Sequence, residues 1–205
     1  MNIPKIVREE LPEINEISDR DLADKVVEAW SLSLEKSSFL KISDMGPSGG
    51  PERPRLIKGT QVDHIRGVKR LAMKMADEMA EMFPDIGINR DTVIAGALLH
   101  DVGKPWEFDP ENIARWTSDT KRTGNPSLRH TFYGVHIGYE VGLPEEIIHI
   151  IATHAREGDQ IVRSLVNQII SEADHAFWRI LKAGGWWKSR IGKSANRQIV
   201  GGVKA

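Results

Sequence analysis

The longest apolar stretch of the chain, from Val93 to Leu99, constrains the fold more than any other segment. A helix that is apolar on all sides is buried in the middle of a domain. The alanines and the glycine in this stretch favour a helix over a buried parallel strand, and Gly103 and Pro105 end it. The stretch is also far too short to span a bilayer. We therefore expect one central, buried helix with other helices packed around it.

Apolar residues recur at steps of three and four along most of the chain, which is typical of amphipathic helices. We predict helices over residues 21–34, from Thr60 to Pro84, from Asn89 to Leu99, from Leu128 to Val141, from Pro144 to His154, and from Asp159 to Gly184. Thr60 and Asp63 fit a capping box at the start of the second helix. Residues 106–127 show little periodicity and are predicted to be a loop with one short turn from Asn112 to Trp116. The predicted fold class is all-α.

Three glycines lie four residues apart on the helix predicted from Leu128. Gly134, Gly138 and Gly142 place small residues on one face, so that a neighbouring backbone can approach this face closely. Because glycine costs about 1 kcal/mol in a helix, the pattern predicts a tight contact between two helices.

The sequence divides into four segments. Residues 1–45 are predicted to form an N-terminal helical arm, residues 46–59 a Gly/Pro-rich loop, residues 60–185 the main helical domain and residues 186–205 a loose C-terminal tail. The loop is either a linker or a mobile lid over a site, because its prolines and glycines exclude a helix and a central strand. Trp186 and Trp187 in the tail are a candidate association surface, so a homo-oligomer is one expectation.

Composition excludes several kinds of site and partner. The chain has no cysteine, which removes disulfides, thiolate zinc sites, iron–sulfur clusters and a cysteine nucleophile. Lys and Arg number 28 and Asp and Glu number 29, which gives a net charge of −1. This balance argues against a general nucleic-acid or membrane-surface binder, but it allows a small anionic ligand in a local pocket. Residues 1–11 lack the apolar core of a secretory signal, so a cytoplasmic protein is expected.

His100 and Asp101 directly follow the apolar stretch and therefore begin in a setting of low dielectric constant. An isolated buried carboxylate is costly, and proteins avoid one unless it is paired or binds a metal. One interpretation is that both side chains turn toward a single cation at the end of the helix. The other is that Asp101 caps a turn while His100 bonds a backbone carbonyl. The pair alone does not decide between these interpretations.

Other histidines and one aspartate fall at similar places on separate predicted helices. His64, His130 and His154 lie near the apolar face or at an end of a helix. Asp174 lies beside an apolar stripe, where an unpaired aspartate is rare. Imidazole and carboxylate suit Mn, Fe, Co, Ni or Zn and suit Ca poorly, and six such ligands exceed the needs of one tetrahedral zinc. The set suffices for two metal ions with Asp101 as the bridging carboxylate.

An ordered set of residues resembles the HD-domain superfamily of metal-dependent phosphohydrolases: His64, His100-Asp101, His130, His154 and Asp174. The string ALLHDVGK, from Ala97 to Lys104, is similar to the signature of that family, and the resemblance spans about residues 60–182. The histidines at 130 and 154 are similar to those of its dinuclear branch, which includes cyclic-dinucleotide phosphodiesterases of the HD-GYP type. The resemblance implies an all-α HD-domain bundle around a metal centre.

The resemblance also implies roles for individual residues. It implies that the core metal ligands are His64, His100, Asp101 and Asp174, and that the ligands of a second metal are His130 and His154. It further implies that Lys104 contacts the anionic group of a substrate.

We expect a hydrolase of a phosphate ester, either a small nucleotide or an organic phosphate, that uses a hydroxide bridging two divalent transition-metal ions. The candidate catalytic residues are Asp101 and Lys104, and the candidate substrate-binding residues are Lys104, Arg156, His136 and Arg129. The two arginines closely follow or precede predicted ligands and suit an anion. His136 lies about 120° from the face of His130 on a helix, which makes it a candidate lining residue.

Two other functions remain open. The same set of ligands resembles that of di-iron oxygenases related to myo-inositol oxygenase, which cleave a C–C or C–P bond. An HD domain can also serve as a non-catalytic module that senses nucleotides. The presence of every predicted ligand argues against this last function.

Overall fold

Ten α-helices and a short antiparallel ribbon make up the parts of the chain that the computed structural model describes, residues 1–49 and 55–188. The helices are α1 (Ile3–Glu10), α2 (Arg20–Glu35), α3 (Gln61–Met82), α4 (Arg90–Leu99), α5 (Lys104–Glu107), α6 (Pro110–Ser118), α7 (Thr120–Thr123), α8 (His130–Glu140), α9 (Glu145–Thr153) and α10 (Leu165–Ala183). The ribbon pairs β1 (Arg55–Leu56) with β2 (Trp187–Lys188). The predicted all-α class is confirmed.

The helix predicted from the apolar stretch, α4, lies at the centre. Every residue from Thr92 to Leu99 is buried, and α2, α3, α9 and α10 all pack against this helix. Burying a Val, Leu or Ile side chain contributes about 1.5–3 kcal/mol, so α4 is a main source of folding free energy. Its packing also decides where His100 and Asp101 lie, because both residues directly follow its end.

The first 45 residues, predicted as an arm, contribute to the same hydrophobic core as α4. In α2, Trp30 is fully buried, and its Nε1 donates a hydrogen bond to the Leu98 carbonyl oxygen at 2.9 Å. The Ser33 hydroxyl donates to the Val102 carbonyl oxygen at 2.5 Å. These two bonds reach the backbone just before and just after the His-Asp pair. The N-terminal helices therefore support the end of α4.

The observed start of α3 agrees with the start predicted from the sequence, whereas the observed start of α10 does not. At α3, the Asp63 carboxylate accepts hydrogen bonds from the Thr60 backbone N–H at 2.7 Å and from its hydroxyl at 3.0 Å, so the predicted capping box is confirmed. The prediction that Asp159 begins the last helix is wrong. That helix starts after Ser164, and Asp159 instead forms an ion pair with Arg163 at 3.0 Å. Aspartate and serine are both good N-caps, so residue type alone did not distinguish the two starts.

The segment 106–127 contains α6 and α7, so its prediction as a loop is wrong there, although the short turn predicted from Asn112 to Trp116 lies inside α6. Only one residue of α6, Trp116, is buried, which leaves the segment with little apolar periodicity. The Trp116 ring lies 5.1 Å from that of Trp106, which stacks on Tyr133 of α8 at 4.4 Å. Aromatic contacts of this kind hold the segment against α8.

The ribbon joins the start and the end of the main helical domain. Leu56 pairs with Trp187, and the Ile57 backbone N–H donates to the Trp186 carbonyl oxygen at 2.9 Å. The first residues of the predicted tail are therefore paired with the segment that leads into α3.

Parts of two predicted segments lie outside the described residues. These parts are residues 50–54 of the Gly/Pro-rich loop and residues 189–205 of the tail. Within the two described ranges, no helix combines the length and the apolar character needed to cross a membrane.

Two of the three evenly spaced glycines of α8 lie at a tight contact. A Cβ at Gly134 would overlap Ile151, and a Cβ at Gly138 would press on Ile148, and both isoleucines belong to α9. Gly142 differs, because no atom of the described residues lies within 4 Å of a Cβ there and its φ of +66° lies in the left-handed region that ends a helix. The close approach predicted for this face is thus made by the first two glycines.

Gly103 packs so closely on α8 that it leaves no room for a side chain. A Cβ there would overlap the His130 carbonyl oxygen and the Gly134 nitrogen, which are backbone atoms and cannot rotate away. We expect Gly103→Ala to lower the free energy of unfolding by about 3 kcal/mol, at the upper end of the range for overpacking. Urea denaturation measures this change.

Gly46→Ala is the matched control, because no atom of the described residues lies within 4 Å of a Cβ at that position. It should change the free energy of unfolding by less than about 0.5 kcal/mol. Equal losses in the two variants would contradict the packing interpretation.

Candidate metal centre

The six side chains predicted as metal ligands come from separate helices and helix ends and converge on one place. They are His64 in the first turn of α3, His100 and Asp101 after α4, His130 at the start of α8, His154 after α9 and Asp174 within α10. Five are buried, and the Asp174 side chain is 15% exposed. The fold therefore brings together ligand groups that are far apart in the chain.

Asp101 lies at the middle of this group, and its two carboxylate oxygens face different pairs of imidazoles. Oδ2 lies 3.1 Å from Nε2 of His64 and 3.1 Å from Nε2 of His100. Oδ1 lies 3.4 Å from Nε2 of His130 and 3.8 Å from Nε2 of His154. A carboxylate in this position could bridge two cations, and two histidines would then lie beside each cation.

The spacing of the ligand atoms fits metal coordination. Nε2 of His64 lies 3.2 Å from Nε2 of His100 and 3.3 Å from Oδ1 of Asp174. Ligand atoms that bind one ion at about 2.0–2.1 Å lie about 3.0–3.4 Å from each other. Asp174 Oδ1 is also buried without a hydrogen bond among the described residues, which suits an atom that binds a cation.

Three of the histidines are oriented by a hydrogen bond at the ring nitrogen that points away from the centre. Nδ1 of His100 lies 2.7 Å from the Ala97 carbonyl oxygen, and Nδ1 of His154 lies 3.1 Å from the Ile151 carbonyl oxygen. Since a carbonyl oxygen only accepts, Nδ1 carries the proton in each neutral ring. Nε2 then presents a lone pair to the centre, as a metal ligand must.

Glu107, which the sequence did not identify, orients the third of these histidines. Its Oε2 accepts hydrogen bonds from the backbone N–H and from Nδ1 of His130, both at 2.6 Å. Burial raises the pKa of Glu107, but the hydrogen bonds and the charge of His130 outweigh burial and lower this pKa. A carboxylate behind a histidine fixes the ring and strengthens it as a ligand. Glu107 was missed because it belongs to the segment predicted as a loop.

Lys104 and Gln61 bind Asp101 at the oxygen that faces His64 and His100. Lys104 Nζ lies 2.6 Å from Oδ2, and Nε2 of Gln61 donates to the same oxygen at 2.7 Å. Burial raises the pKa of Asp101, but the charges of Lys104 and His100 outweigh burial and hold this pKa well below its usual value. Gln61 was not predicted, although it lies one helical turn before His64 and so shares its face.

Burial keeps two of the imidazoles neutral at neutral pH. It lowers the pKa of His154 to about 3, helped by the charges of His100 and His130. It also lowers the pKa of His64. Burial lowers the pKa of His100 too, but the charge and hydrogen bond of Asp101 outweigh it and raise that pKa. Neutral imidazole is the form that binds metals, so His64 and His154 are in the binding form.

Arg163 holds the backbone on both sides of His154. Its Nε donates to the Thr153 carbonyl oxygen at 2.7 Å, and its Nη2 donates to the Ala155 carbonyl oxygen at 2.8 Å. Both carbonyls lie where α9 has ended and no longer supplies donors. The guanidinium group therefore fixes the position of His154, a role for which the sequence around Arg163 gives no signal.

A cavity of about 310 Å³ opens onto the centre. Its lining residues are Ser48, Asp101, Lys104, Phe108, Arg129, His130, His154, Ala155, Asp174, Trp178 and Trp187. An adjoining hollow of about 330 Å³ shares Arg129, Ala155 and Asp174 with this cavity and is also lined by Pro126, Arg156 and His175. A molecule bound at the centre can therefore contact both cationic and aromatic side chains.

The two arginines predicted to bind substrate both lie at these cavities. Arg129 lines both of them, and its guanidinium group lies 2.9 Å from Glu157 and 3.8 Å from Glu107. Arg156 is exposed and lines the adjoining hollow, and it has no ionic partner in the described part of the chain. Arg156 is thus the more available of the two for an anion.

The structure does not bring His136 to the centre. Its side chain is exposed on α8, its ring centroid lies 5.5 Å from that of Tyr133, and it lines neither cavity. A residue about 120° from the His130 face of a helix can point toward the centre or toward solvent, and His136 points toward solvent.

Comparisons with known proteins agree with this geometry. The family model of the HD domain matches residues 62–176, a range that contains all six candidate metal ligands. The dihydroneopterin 2′,3′-cyclic phosphate phosphodiesterase of Methanocaldococcus jannaschii is 33% identical over 145 residues. This alignment covers 68% of the chain and 55% of the relative, so the chain spans about half the length of that protein. No solved structure matches the chain. Because the family match covers more than half of its residues, this chain belongs to the HD domain family.

Proposed function

We propose that this chain is a metal-dependent hydrolase of phosphate esters. The observation that carries the proposal is the position of Asp101, whose two oxygens face two different pairs of histidine nitrogens. Paired metal ions are used by many enzymes that hydrolyse phosphoryl groups, and a carboxylate between two cations suits such a pair. Membership of the HD domain family and the phosphodiesterase relative support the same class of reaction.

The ligand set suits two divalent transition-metal ions, drawn from Mn, Fe, Co, Ni and Zn. The residues that would hold one ion are His64, His100, Asp101 and Asp174, and those that would hold the other are Asp101, His130 and His154. When bound, such ions neutralise charge on phosphoryl oxygens and lower the pKa of a water molecule toward neutrality. Asp101 is thus the proposed bridging residue of the catalytic centre.

Cationic side chains of the chain itself would bind the anionic group of the substrate. The Lys104 ammonium lines the cavity, and two of its three N–H donors bond Asp101 and, at 3.4 Å, the Gln61 Oε1. Its third N–H makes it the proposed catalytic contact of a phosphoryl oxygen. Arg129 would contact the same group from another part of the lining. Arg156 would bind a polar or anionic substituent that extends into the adjoining hollow.

Cyclic phosphate diesters are the first substrate class that we propose. The Methanocaldococcus relative is named for a 2′,3′-cyclic phosphate. Such a group is a compact monoanion, and a cavity of about 310 Å³ with one buried lysine suits its size and charge.

Assays of the metal-loaded chain test the proposal. The chain would be loaded separately with Mn²⁺, Fe²⁺, Co²⁺, Ni²⁺ or Zn²⁺ and incubated with bis(p-nitrophenyl) phosphate, p-nitrophenyl phosphate and 2′,3′-cyclic AMP. We expect hydrolysis of at least one diester that depends on the metal and stops when a chelator is added. Absence of hydrolysis in every combination would overturn the proposal. Oxygen uptake by the iron-loaded chain with a polyol or a phosphonate would instead favour the oxygenase.

The variant Asp101→Asn tests the bridging role. An amide presents one oxygen and one N–H₂ group, and the N–H₂ group cannot bind a cation. We expect the metal content to fall from two ions per chain to one or none, and kcat to fall about 1,000-fold. Elemental analysis and steady-state kinetics measure both effects.

Asp85→Asn is the control for this change, because Asp85 is an exposed aspartate far from the centre in the chain. It should retain both ions and the full kcat. Retention of two ions by Asp101→Asn would show that Asp101 does not bridge.

The variant Glu107→Ala tests the carboxylate behind His130. Without the two hydrogen bonds from Oε2, the His130 ring loses its orientation. We expect the ion on the His130 side to bind about 10–100-fold more weakly, while the ion beside His64 and His100 remains. Titration with metal in the presence of a competing chelator measures the two affinities. Glu111→Ala, which removes a neighbouring exposed carboxylate, should leave both unchanged.

The metal-free chain should lose stability as the pH falls below about 6.5. The pKa of His154 is about 3 in the folded chain against an ordinary value of 6.5, so between these values only the unfolded chain takes up the proton. Asp101 and Glu107, whose pKa values are also lowered, add to the loss at pH values around and below 4. His100 acts in the opposite direction, because its raised pKa stabilises the fold below 6.5 and this contribution is lost as the pH rises.

The variant His154→Gln isolates one of these groups. It should reduce the slope of the unfolding free energy against pH by about 1.4 kcal/mol per pH unit between about pH 4 and 6, the value for one proton. Urea denaturation with EDTA at each pH measures the slope. His136→Gln, which removes an exposed histidine, should leave it unchanged. Identical slopes for His154→Gln and the wild type would contradict the effect of burial.

A further inference from the structure

Aromatic side chains line the same cavity as the charged groups of the metal centre. The aromatic lining consists of Phe108, Trp178 and Trp187, and the cavity also contains Asp101 and Lys104 in its wall. A site that bound a phosphate alone would need only polar groups and metal ligands, and no aromatic surface. Large aromatic side chains beside them gain free energy when a flat organic group covers their surface.

The two tryptophans of the aromatic lining differ in their surroundings. The Trp178 ring packs on the His64 ring with centroids 4.8 Å apart, and it meets Phe177 edge-on at 5.3 Å. Trp178 therefore supports a candidate metal ligand. Within the described ranges, Trp187 makes one ring contact, edge-on to Trp178 at 5.9 Å, and it stays half-buried. Trp187 thus has ring surface left for a ligand.

The ribbon holds Trp187 at the cavity and places its neighbour elsewhere. Trp187 pairs with Leu56 in the ribbon, and Trp186 lies just before β2. Trp186 is 38% exposed, lines neither cavity, and has Lys58 Nζ 5.5 Å from its ring centroid. Adjacent tryptophans therefore face different surroundings, and Trp186 provides a matched control for Trp187.

From this arrangement we infer that the site selects phosphate esters whose organic group carries a planar aromatic ring, and that Trp187 is the specificity-determining residue that stacks on this ring. The inference rests on the proposed function and names the substrate class of the same site. A cavity of about 310 Å³ has room for a phosphate together with a heterocycle of one or two rings. Stacking accepts many ring types, so it selects for a ring rather than for one compound.

Kinetics with a matched pair of substrates test the inference. 2′,3′-Cyclic AMP carries an aromatic base, whereas glycerol 1,2-cyclic phosphate has a five-membered cyclic phosphate without an aromatic ring. For the metal-loaded wild type we expect kcat/KM to be about tenfold or more higher with the first compound. Trp187→Leu should raise KM about tenfold for that compound and leave KM for the second unchanged. Trp187→Phe, which keeps a ring, should restore most of the preference.

Two further measurements separate stacking from a general loss of structure. Trp186→Leu should behave as the wild type with both substrates. Calorimetric binding of adenosine 2′-monophosphate, which needs no turnover, should weaken about tenfold in Trp187→Leu.

Equal kcat/KM values of the wild type for the two substrates would overturn the inference and leave the proposed function intact. Equal losses of kcat/KM on the two substrates in Trp187→Leu would also overturn the inference and leave the proposed function intact. Failure of the wild type to hydrolyse any phosphate ester would overturn the proposed function, and the inference with it.

Discussion

A buried carboxylate is the constraint on which the rest of this structure depends. Asp101 is 2% exposed, and an isolated charge at such a depth would cost several kcal/mol or take up a proton. The chain surrounds it instead with the Lys104 ammonium, the Gln61 amide and four imidazole nitrogens. These partners come from α3, α5 and the ends of α4, α8 and α9. Asp101 can therefore remain charged while buried only when these helices are packed together, which links the formation of the centre to folding.

Helix ends, more than helix faces, position the candidate ligands. His100 and His154 each follow the last residue of a helix, and each bonds the carbonyl oxygen three residues earlier. Carbonyls in the last turn of a helix lack donors from the helix itself. The histidine ring supplies such a donor and is oriented by the same bond, so that Nε2 faces the centre. At the start of α8, Glu107 performs the corresponding task for His130 by accepting both its backbone N–H and its ring N–H.

The candidate ligands could be predicted from the sequence because each is a polar side chain next to apolar residues of a helix, as Asp174 is beside the apolar stripe of α10. The groups that orient them could not, because their contacts form only after distant segments meet. Glu107 belongs to a segment with little apolar periodicity, because the α6 helix that follows it has a single buried residue. Trp187 reaches the cavity because two very short strands pair. Asp159 and His136 show the reverse error. Aspartate suits an N-cap and histidine suits the lining of a cavity. Packing nevertheless placed the start of α10 after Ser164 and turned His136 toward solvent.

Local charge explains how a nearly neutral chain can bind an anion without a general basic surface. The whole chain has a net charge of −1. Asp101 and Asp174 are the two carboxylates among the candidate ligands, so the two divalent ions that we propose would give the centre an excess of positive charge. Two glutamates offset Arg129, while Arg156, which has no ionic partner among the described residues, adds a positive charge in the adjoining hollow. With such ions bound, attraction for an anion would be confined to the cavity, and the field of the whole chain would contribute little. The organic part of the substrate that we propose would then be distinguished by uncharged contacts, and the aromatic lining offers such contacts in this cavity.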